Sequence, residues 1–156
     1  MHKLLAFMVA LGVVIGLAWP SANRADVPAV SASAGERRET VLEREANGHF
    51  YVNAKVNGEL VRFVVDTGAS GVALTTEVAE RIGIAFSPAE FEYVGEGAAG
   101  PVRGKLITIE EIDIDGKTVD NVSGVILAGG DLSLLGQSYL SRMGEVQMRG
   151  DYMVLR

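Results

Sequence analysis

The chain has 156 residues, 48% of them hydrophobic, and a formal net charge of −6 at pH 7. This length suits one compact domain with additional segments. The acidic balance argues against nucleic acid as a partner, because phosphate binding requires clustered lysine and arginine. With no cysteine and only two histidines, the chain has no disulfides and no thiol chemistry, and it offers no zinc site without carboxylates at matched spacing. Nineteen glycines and 6% aromatic residues are typical of an all-β chain with many turns.

The first 20 residues predict a signal or membrane-anchor segment. An apolar run from Leu4 to Trp19 contains no charged residue. As a helix it would reach about 24 Å, short of the roughly 30 Å hydrocarbon core of a bilayer, so a cleaved signal peptide and an uncleaved anchor both stay open. Pro20 makes a poor cleavage site of the residues around it, which favours the anchor. A buried core helix is the other interpretation, but the segment has no polar face.

Residues 21–45 are predicted to form a flexible linker. They are rich in alanine, serine, glutamate and arginine, and they show little apolar periodicity before Val41 and Leu42. Such a segment buries too little apolar surface to offset the entropy lost on ordering. We therefore expect a folded domain over residues 46–156, tethered at some distance from the bilayer.

The folded domain is predicted to open with a β-hairpin. Residues 49–56 alternate well enough for a strand, and Asn57-Gly58 is the strongest short signal for a hairpin turn. Residues 59–66 then return as the second strand. This hairpin brings Asp66 to the end of a buried strand.

The triplet Asp66-Thr67-Gly68 is the strongest candidate for chemistry. It ends the apolar run Phe-Val-Val of residues 63–65. Gly68 allows a tight turn and nearby hydroxyls can donate hydrogen bonds, so Asp66 can be held in a partly desolvated place, a condition that tunes carboxylates for proton transfer. Asp-Thr-Gly alone is also a common turn composition. Here, however, a strand precedes it and a second apolar segment, residues 72–74, follows it.

This strand-loop-strand frame resembles the aspartic proteases of the retroviral, single-lobe type, and two later elements follow in that family's order. Residues 91–101 hold a glycine-rich segment between two strand-like runs. In the family this is the flap hairpin that closes over a bound peptide, whereas the plainer interpretation is an ordinary flexible loop. Leu134-Leu135-Gly136, before a helix predicted over residues 137–143, stands where the family has an apolar-apolar-glycine element beside the catalytic loop.

Residues 95–100 also match the G-x-G-x-x-G pattern of dinucleotide-binding proteins. That motif requires the last glycine to open a helix whose N-terminus meets the pyrophosphate. Here Pro101 follows, and residues 102–114 are a β-type apolar run. Because the helix is missing, we reject nucleotide binding.

The resemblance covers roughly residues 48–156 and looks closest to membrane-tethered bacterial relatives of the retroviral proteases. It implies an all-β, single-lobe, closed β-barrel with a flap hairpin and one or two short helices. The residues themselves predict one of these helices, which Thr75 or Thr76 can cap and which runs through Arg81. It also implies a bacterial inner-membrane protein with its domain on the periplasmic side, or a secreted protein if the leading segment is cleaved. One departure is Gln137-Ser138, where the family usually has an arginine and an acidic or amide residue. This leaves open how the helix is tied down.

For function, the resemblance implies an aspartic endopeptidase that needs no cofactor and no metal. Asp-Thr-Gly occurs once in the sequence, whereas the catalytic dyad of the family needs two aspartates. A symmetric homodimer is therefore expected, with Asp66 of each chain at the two-fold axis. Thr67 would buttress the two loops, and Gly68 would let the substrate backbone come close.

The substrate-binding residues implied by the resemblance are Ala69, Gly97 and Ala98. The last two would lie over a polypeptide substrate that adds a strand to the flap. Two alternatives stay open beside a protease acting on other proteins. One is a non-catalytic, membrane-tethered peptide-binding or assembly domain of the same fold, and the other is a protease that cuts only its own tether within residues 21–45.

Overall fold

The computed structural model describes residues 39–97 and 100–156. Within these residues the chain forms ten β-strands, two short α-helices and one 3₁₀ turn. The strands are β1 (Thr40–Glu43), β2 (Tyr51–Val56), β3 (Glu59–Val65), β4 (Val72–Leu74), β5 (Glu92–Gly97), β6 (Gly100–Ile114), β7 (Lys117–Leu127), β8 (Leu134–Leu135), β9 (Val146–Arg149) and β10 (Tyr152–Leu155). The helices are α1 (Thr76–Arg81) and α2 (Gln137–Leu140), and the 3₁₀ turn is Pro88–Glu90. The predicted all-β class is confirmed.

The first predicted hairpin is present. Strands β2 and β3 pair antiparallel from Tyr51 opposite Val64 to Val56 opposite Glu59. The turn between them places Asn57 at φ 49° and Gly58 at φ 90°, the left-handed conformation that asparagine and glycine tolerate best. Local turn chemistry was therefore enough to predict this register.

Helix α1 also begins as the sequence indicates. The side chain of Thr75 accepts a hydrogen bond from Val78 N, so Thr75 rather than Thr76 is the N-cap. Gly83, at φ 75°, follows the last turn. Helix α2 is shorter than predicted and ends at Leu140 instead of Met143.

Seven strands form one sheet in the order β2-β3-β8-β4-β7-β6-β5, and an additional pairing of β2 with β6 closes it into a barrel. The closure is uneven, because only Lys55 opposite Asp113 and Val56 opposite Ile112 join those two strands. Most neighbours are antiparallel, but β8 pairs parallel with β3, and β4 pairs parallel with β7. Strand β5 lies at the free edge, where it forms the glycine-rich hairpin with β6.

A second, three-stranded sheet has the order β1-β10-β9. Strand β1 corrects the prediction of a linker over residues 21–45, because Thr40–Glu43 pair with β10 and Leu42 is buried. A four-residue strand with a single deeply buried apolar side chain has little sequence signal of its own. It forms because β10, more than 100 residues later in the chain, offers a partner. The rest of the predicted linker, residues 21–38, lies outside the described residues.

The core fills the barrel and continues beneath the three-stranded sheet, so both sheets share one apolar cluster. Burial of these side chains is the main stabilising contribution to the fold. The largest fully buried side chains are Tyr139, Phe63, Leu74, Ile109, Ile112, Ile114, Ile126, Leu135, Met153 and Leu155. Gly95 and Gly97 of the literal G-x-G-x-x-G lie in β5 and Gly100 opens β6, so a strand and not a helix follows the motif.

In the part of the chain that the structure describes, no helix is long and apolar enough to cross a membrane. The predicted anchor over residues 1–20 lies outside the described residues.

Candidate active site

Asp66 lies immediately after β3, where that strand leaves the barrel. The strand is held on both sides at this point, since Val65 N donates to Phe50 O (2.9 Å) and Asp66 N donates to Leu135 O (3.0 Å). The parallel partner β8 contributes the second of these bonds. The backbone of Asp66 is therefore fixed by two neighbouring segments before its side chain makes any contact.

The Asp66 carboxylate is oriented by its own loop. Gly68 N donates to Asp66 Oδ1 at 2.9 Å, and Ala69 N donates to Asp66 O at 3.3 Å, which is a common hydrogen-bonded turn for aspartate. Asp66 is half-buried, while Thr67 and Gly68 are exposed. A Cβ atom on Gly68 would lie 3.3 Å from Asp66 Oδ1. The loop thus presents one ordered carboxylate at an open surface, with little space beside it.

The beginning of α2 supports this loop from behind. Gln137 N donates to Ala69 O at 2.8 Å, and Ser138 N donates to Ser70 O at 3.0 Å. These are N–H groups of a helix start that have no partner within the helix. The free N–H groups at the start of α2 and the carbonyl groups of the loop are therefore hydrogen-bond partners of each other.

Two side chains of α2 complete the support. Gln137 Nε2 donates to Thr67 O at 2.9 Å. Ser138 Oγ accepts from Val72 N at 3.0 Å and donates to Ser123 O at 2.7 Å. Gln137 and Ser138, which stand where the family usually has an arginine and an acidic or amide residue, therefore still attach α2 to the loop and the neighbouring strands. The sequence shows the two residues but not these contacts, because their partners are as many as 70 residues away.

Gly136 allows the close approach of β8 and the loop. A Cβ atom at this position would lie 2.2 Å from Gly71 O and 2.6 Å from Ala69 O, where no side chain fits. Gly136 itself is buried. The predicted Leu134-Leu135-Gly136 element is confirmed beside the Asp66 loop, and its glycine has a steric reason.

The other predicted substrate-binding residues belong to a different part of the chain. Gly97 is exposed at the end of β5, in the glycine-rich hairpin, and Ala98 lies outside the described residues. Among the described residues, no hydrogen bond joins Gly97 to the Asp66 loop. The structure thus holds Asp66, Gly68 and Ala69 in one hydrogen-bonded loop, and Gly97 belongs to the glycine-rich hairpin.

A cleft of about 370 Å³ lies beside β3, and Asp66 does not line it. Its walls combine carboxylates, arginines and apolar groups. They are Glu45, Tyr51, Arg62, Val64, Thr75, Glu77, Val78, Arg81, Asp131, Leu132 and Ser133. Asp66 of a single chain therefore faces an open surface, not the interior of this cleft.

One Asp-Thr-Gly loop at the end of a barrel strand, backed by an apolar-apolar-glycine element and a short helix, defines the single-lobe, retropepsin-like class of aspartic proteases. Residues 52–142, more than half of the chain, match the sequence model of the family described as "gag-polyprotein putative aspartyl protease". The chain belongs to this family.

A solved structure supports the same conclusion. The retropepsin-like aspartic protease from Rickettsia conorii superposes with a TM-score of 0.64 at 36% sequence identity, over 76% of this chain and 89% of that one. The fold and the family together make this chain a retropepsin-like protein.

Two curated relatives match at the level of sequence. The "Uncharacterized protein in cobV 5'region" of Sinorhizobium sp is 39% identical over 122 residues, which are 77% of this chain and 52% of the relative. An uncharacterized protein of Rickettsia prowazekii is 35% identical over 118 residues, which are 75% of this chain and 51% of that protein. This chain therefore spans about half the length of the curated relatives it matches.

Proposed function

We propose that this protein is an aspartic endopeptidase whose catalytic dyad consists of Asp66 from two chains. The observation that carries the proposal is the ordered carboxylate of Asp66 in the only Asp-Thr-Gly triplet of the sequence. One chain supplies one aspartate of the dyad, Asp66, at an open surface. A symmetric homodimer supplies the other half, because a two-fold axis places identical residues opposite each other.

The two Asp66 carboxylates act as one unit in this mechanism. Two carboxylates about 3 Å apart do not both ionise readily, so they share a proton. The ionised partner takes a proton from a bridging water as that water attacks the scissile carbonyl, and the protonated partner hydrogen-bonds the carbonyl oxygen. When the tetrahedral intermediate collapses, the C–N bond breaks and the proton taken from the water passes to the leaving nitrogen, so the dyad again holds one proton. Neither a metal nor a covalent intermediate is required. Thr67 stabilises the contact between the two loops, and Gly68 leaves room for the substrate backbone.

The glycine-rich hairpin suits the role of a flap. Strand β5 is at the edge of the seven-stranded sheet, so its outer backbone groups can pair with an extended peptide. Gly97 and Ala98 then lie over the bound polypeptide, and Ala69 contacts it from the opposite side. Backbone pairing supplies affinity with little dependence on the substrate sequence.

Tethering is part of the proposal. Residues 1–20 anchor the protein in the bacterial inner membrane, with the protease domain on the periplasmic side. The observation behind this is the uncharged apolar run from Leu4 to Trp19. The mass of the mature chain in the membrane and soluble fractions tests it: an intact N-terminus in the membrane fraction supports the anchor, and a chain in the soluble fraction that begins directly after residue 20 shows a cleaved signal. A new N-terminus within residues 21–45 that is absent in Asp66→Asn shows self-processing.

The test of activity compares the wild-type chain with Asp66→Asn and with Asp131→Asn, a control that removes another exposed carboxylate. Each is incubated with a diverse peptide mixture from acidic to neutral pH and analysed by mass spectrometry. Cleavage by the wild type and the control, but not by Asp66→Asn, supports the endopeptidase. Cleavage that persists in Asp66→Asn contradicts it. Absence of cleavage by a folded, dimeric wild type favours the non-catalytic peptide-binding domain instead.

A mixing experiment tests the shared dyad itself. When wild-type and Asp66→Asn subunits exchange freely, only wild-type pairs carry two aspartates, so activity falls as the square of the wild-type fraction. An equal mixture keeps about one quarter of the activity if heterodimers are inactive. A linear fall to about one half would show that each chain acts alone.

A further inference from the structure

One peptide unit in the Asp66 loop makes two hydrogen bonds, one on each of its opposite sides. The carbonyl of Thr67 and the N–H of Gly68 belong to the same planar group. Gln137 Nε2 donates to that carbonyl at 2.9 Å, and the N–H donates to Asp66 Oδ1 at 2.9 Å. Gln137 and the Asp66 carboxylate are therefore linked through one rigid peptide group, to which each forms a hydrogen bond.

This peptide plane needs an external restraint. Glycine adopts a wide range of backbone angles, so the unit before Gly68 can rotate with little steric resistance. Rotation would turn the N–H away from Asp66 and point the carbonyl oxygen toward the carboxylate. A donor that holds the carbonyl oxygen prevents this rotation. It also strengthens the N–H as a donor, because hydrogen bonds in series polarise one another.

We propose that Gln137 is a positioning residue, which holds the Thr67–Gly68 peptide plane so that its N–H stays directed at Asp66. The proposal rests on the proposed function, since it assigns Gln137 to the orientation of the catalytic carboxylate. The side chain of Gln137 is neutral, so it restrains the plane without placing a positive charge next to Asp66. Its own position is fixed because the backbone N–H of Gln137 donates to Ala69 O at 2.8 Å.

Ser138 provides a matched control in the next position of the same helix. Its hydroxyl connects Val72 N and Ser123 O, at 3.0 and 2.7 Å, and it does not contact the Thr67–Gly68 unit. Both side chains tie α2 to its surroundings, but only Gln137 touches the plane that orients Asp66. A merely structural role predicts similar consequences for the two residues.

The test follows the Gly68 amide proton by NMR in the purified full chain, independently of any cleavage. Gln137→Glu keeps the size of the side chain but removes the donor, and Gln137→Ala removes both. In each variant we expect the Gly68 amide resonance to move upfield and its hydrogen exchange to accelerate about tenfold. Ser138→Ala is expected to lower the melting temperature while leaving this resonance in place.

Kinetics supply the second readout. The expected loss in the two Gln137 variants is about three- to tenfold in kcat, with a smaller change in KM, because the Gly68 N–H is no longer held toward Asp66 and up to the worth of one hydrogen bond is lost there. An unchanged Gly68 resonance in Gln137→Ala, or an equal shift in Ser138→Ala, overturns the proposal. If the wild type proves inactive, the peptidase proposal fails while the NMR comparison still decides whether Gln137 positions Asp66.

Discussion

Gly136, beside the Asp66 loop, and Gly100, in the glycine-rich hairpin of β5 and β6, are both suited to glycine, but for different physical reasons. At the loop, Gly136 is required because a Cβ atom there would lie 2.2 Å from a backbone oxygen. At the hairpin, Gly100 has open space around it and adopts φ 115°, a conformation that side chains with a Cβ rarely accept. Gly136 allows close packing beside the loop, and Gly100 allows an unusual backbone conformation in the hairpin.

The two regions also differ in how they are held. The loop receives hydrogen bonds from β8 and from the backbone and side chains of α2. The hairpin is fastened near its base, where Arg103 donates to Phe91 O (2.7 Å) and Lys105 pairs with Glu90 (2.9 Å), and Tyr93 on β5 is 60% exposed. We expect the loop to open only with the whole domain and the hairpin to open locally at a lower free energy. A preorganised carboxylate and a movable cover are what the proposed endopeptidase requires.

The largest effect is expected for Gly136→Ala. The added methyl group meets the backbone oxygens of Gly71 and Ala69, which cannot give way without displacing the loop, so the free energy of unfolding should fall by about 3 kcal/mol or more. Gly129→Ala is the control, since a Cβ there has nothing within 4 Å. Denaturant unfolding measures both. Equal stability of the two variants would show that the loop is not tightly packed against β8.

Gly68→Ala should affect activity more than stability. Its Cβ would lie 3.3 Å from Asp66 Oδ1, so the carboxylate must shift by a few tenths of an ångström while the buried core is untouched. A misplaced catalytic group costs up to about 100-fold, and we expect kcat/KM to fall by about 10- to 100-fold. Peptide cleavage and thermal unfolding are measured together. A large loss of stability with normal activity would contradict this assignment.

Tyr139→Phe tests how α2 is anchored beneath the loop. The buried hydroxyl of Tyr139 donates to Lys117 O at 2.6 Å, and its removal should cost about 1 to 2 kcal/mol. Tyr93→Phe, on the exposed hairpin, is the control and should change the free energy of unfolding little.

The same residue makes a prediction about alkaline pH. Burial, and then the negative charges of Asp113 and Asp115, raise the pKa of Tyr139 above its ordinary value. An unfolded tyrosine ionises near pH 10, so the unfolded chain releases this proton first as the pH rises. The stabilising contribution is complete below about pH 10 and is lost progressively above it. Wild type should lose stability above pH 10 more steeply than Tyr139→Phe, and parallel curves would contradict the assignment.

The smallest global effect is expected for Gly100→Ala. The positive φ is strained for alanine by about 1 to 3 kcal/mol, but a hairpin that opens locally can relieve much of this strain. Hydrogen exchange of the β5 and β6 amides should accelerate, whereas the melting temperature should change less than in Gly136→Ala. A melting temperature lowered as much as in Gly136→Ala would show that the hairpin is as firmly integrated as the loop.

Local patterns in the sequence were sufficient for much of this structure. Asn57-Gly58 predicted a hairpin because its turn type requires residues that tolerate positive φ, and the pair Thr75-Thr76 predicted a helix start because either hydroxyl oxygen can cap it. The position of Asp66 at the end of a buried strand followed from the run of apolar, β-favouring residues 63–65. Each of these features depends on contacts between residues that are close in the chain.

What the sequence determined, then, was the order of elements and the identity of the carboxylate that they present. The tertiary structure decided the rest: that Thr40–Glu43 is a strand, that β2 meets β6 to close the barrel, and that Gln137 holds the carbonyl of Thr67. These contacts join residues between about 55 and 115 positions apart. The packing of one shared core decides which distant residues come into contact, and neither the local periodicity nor the turn residues of the sequence predict these pairs.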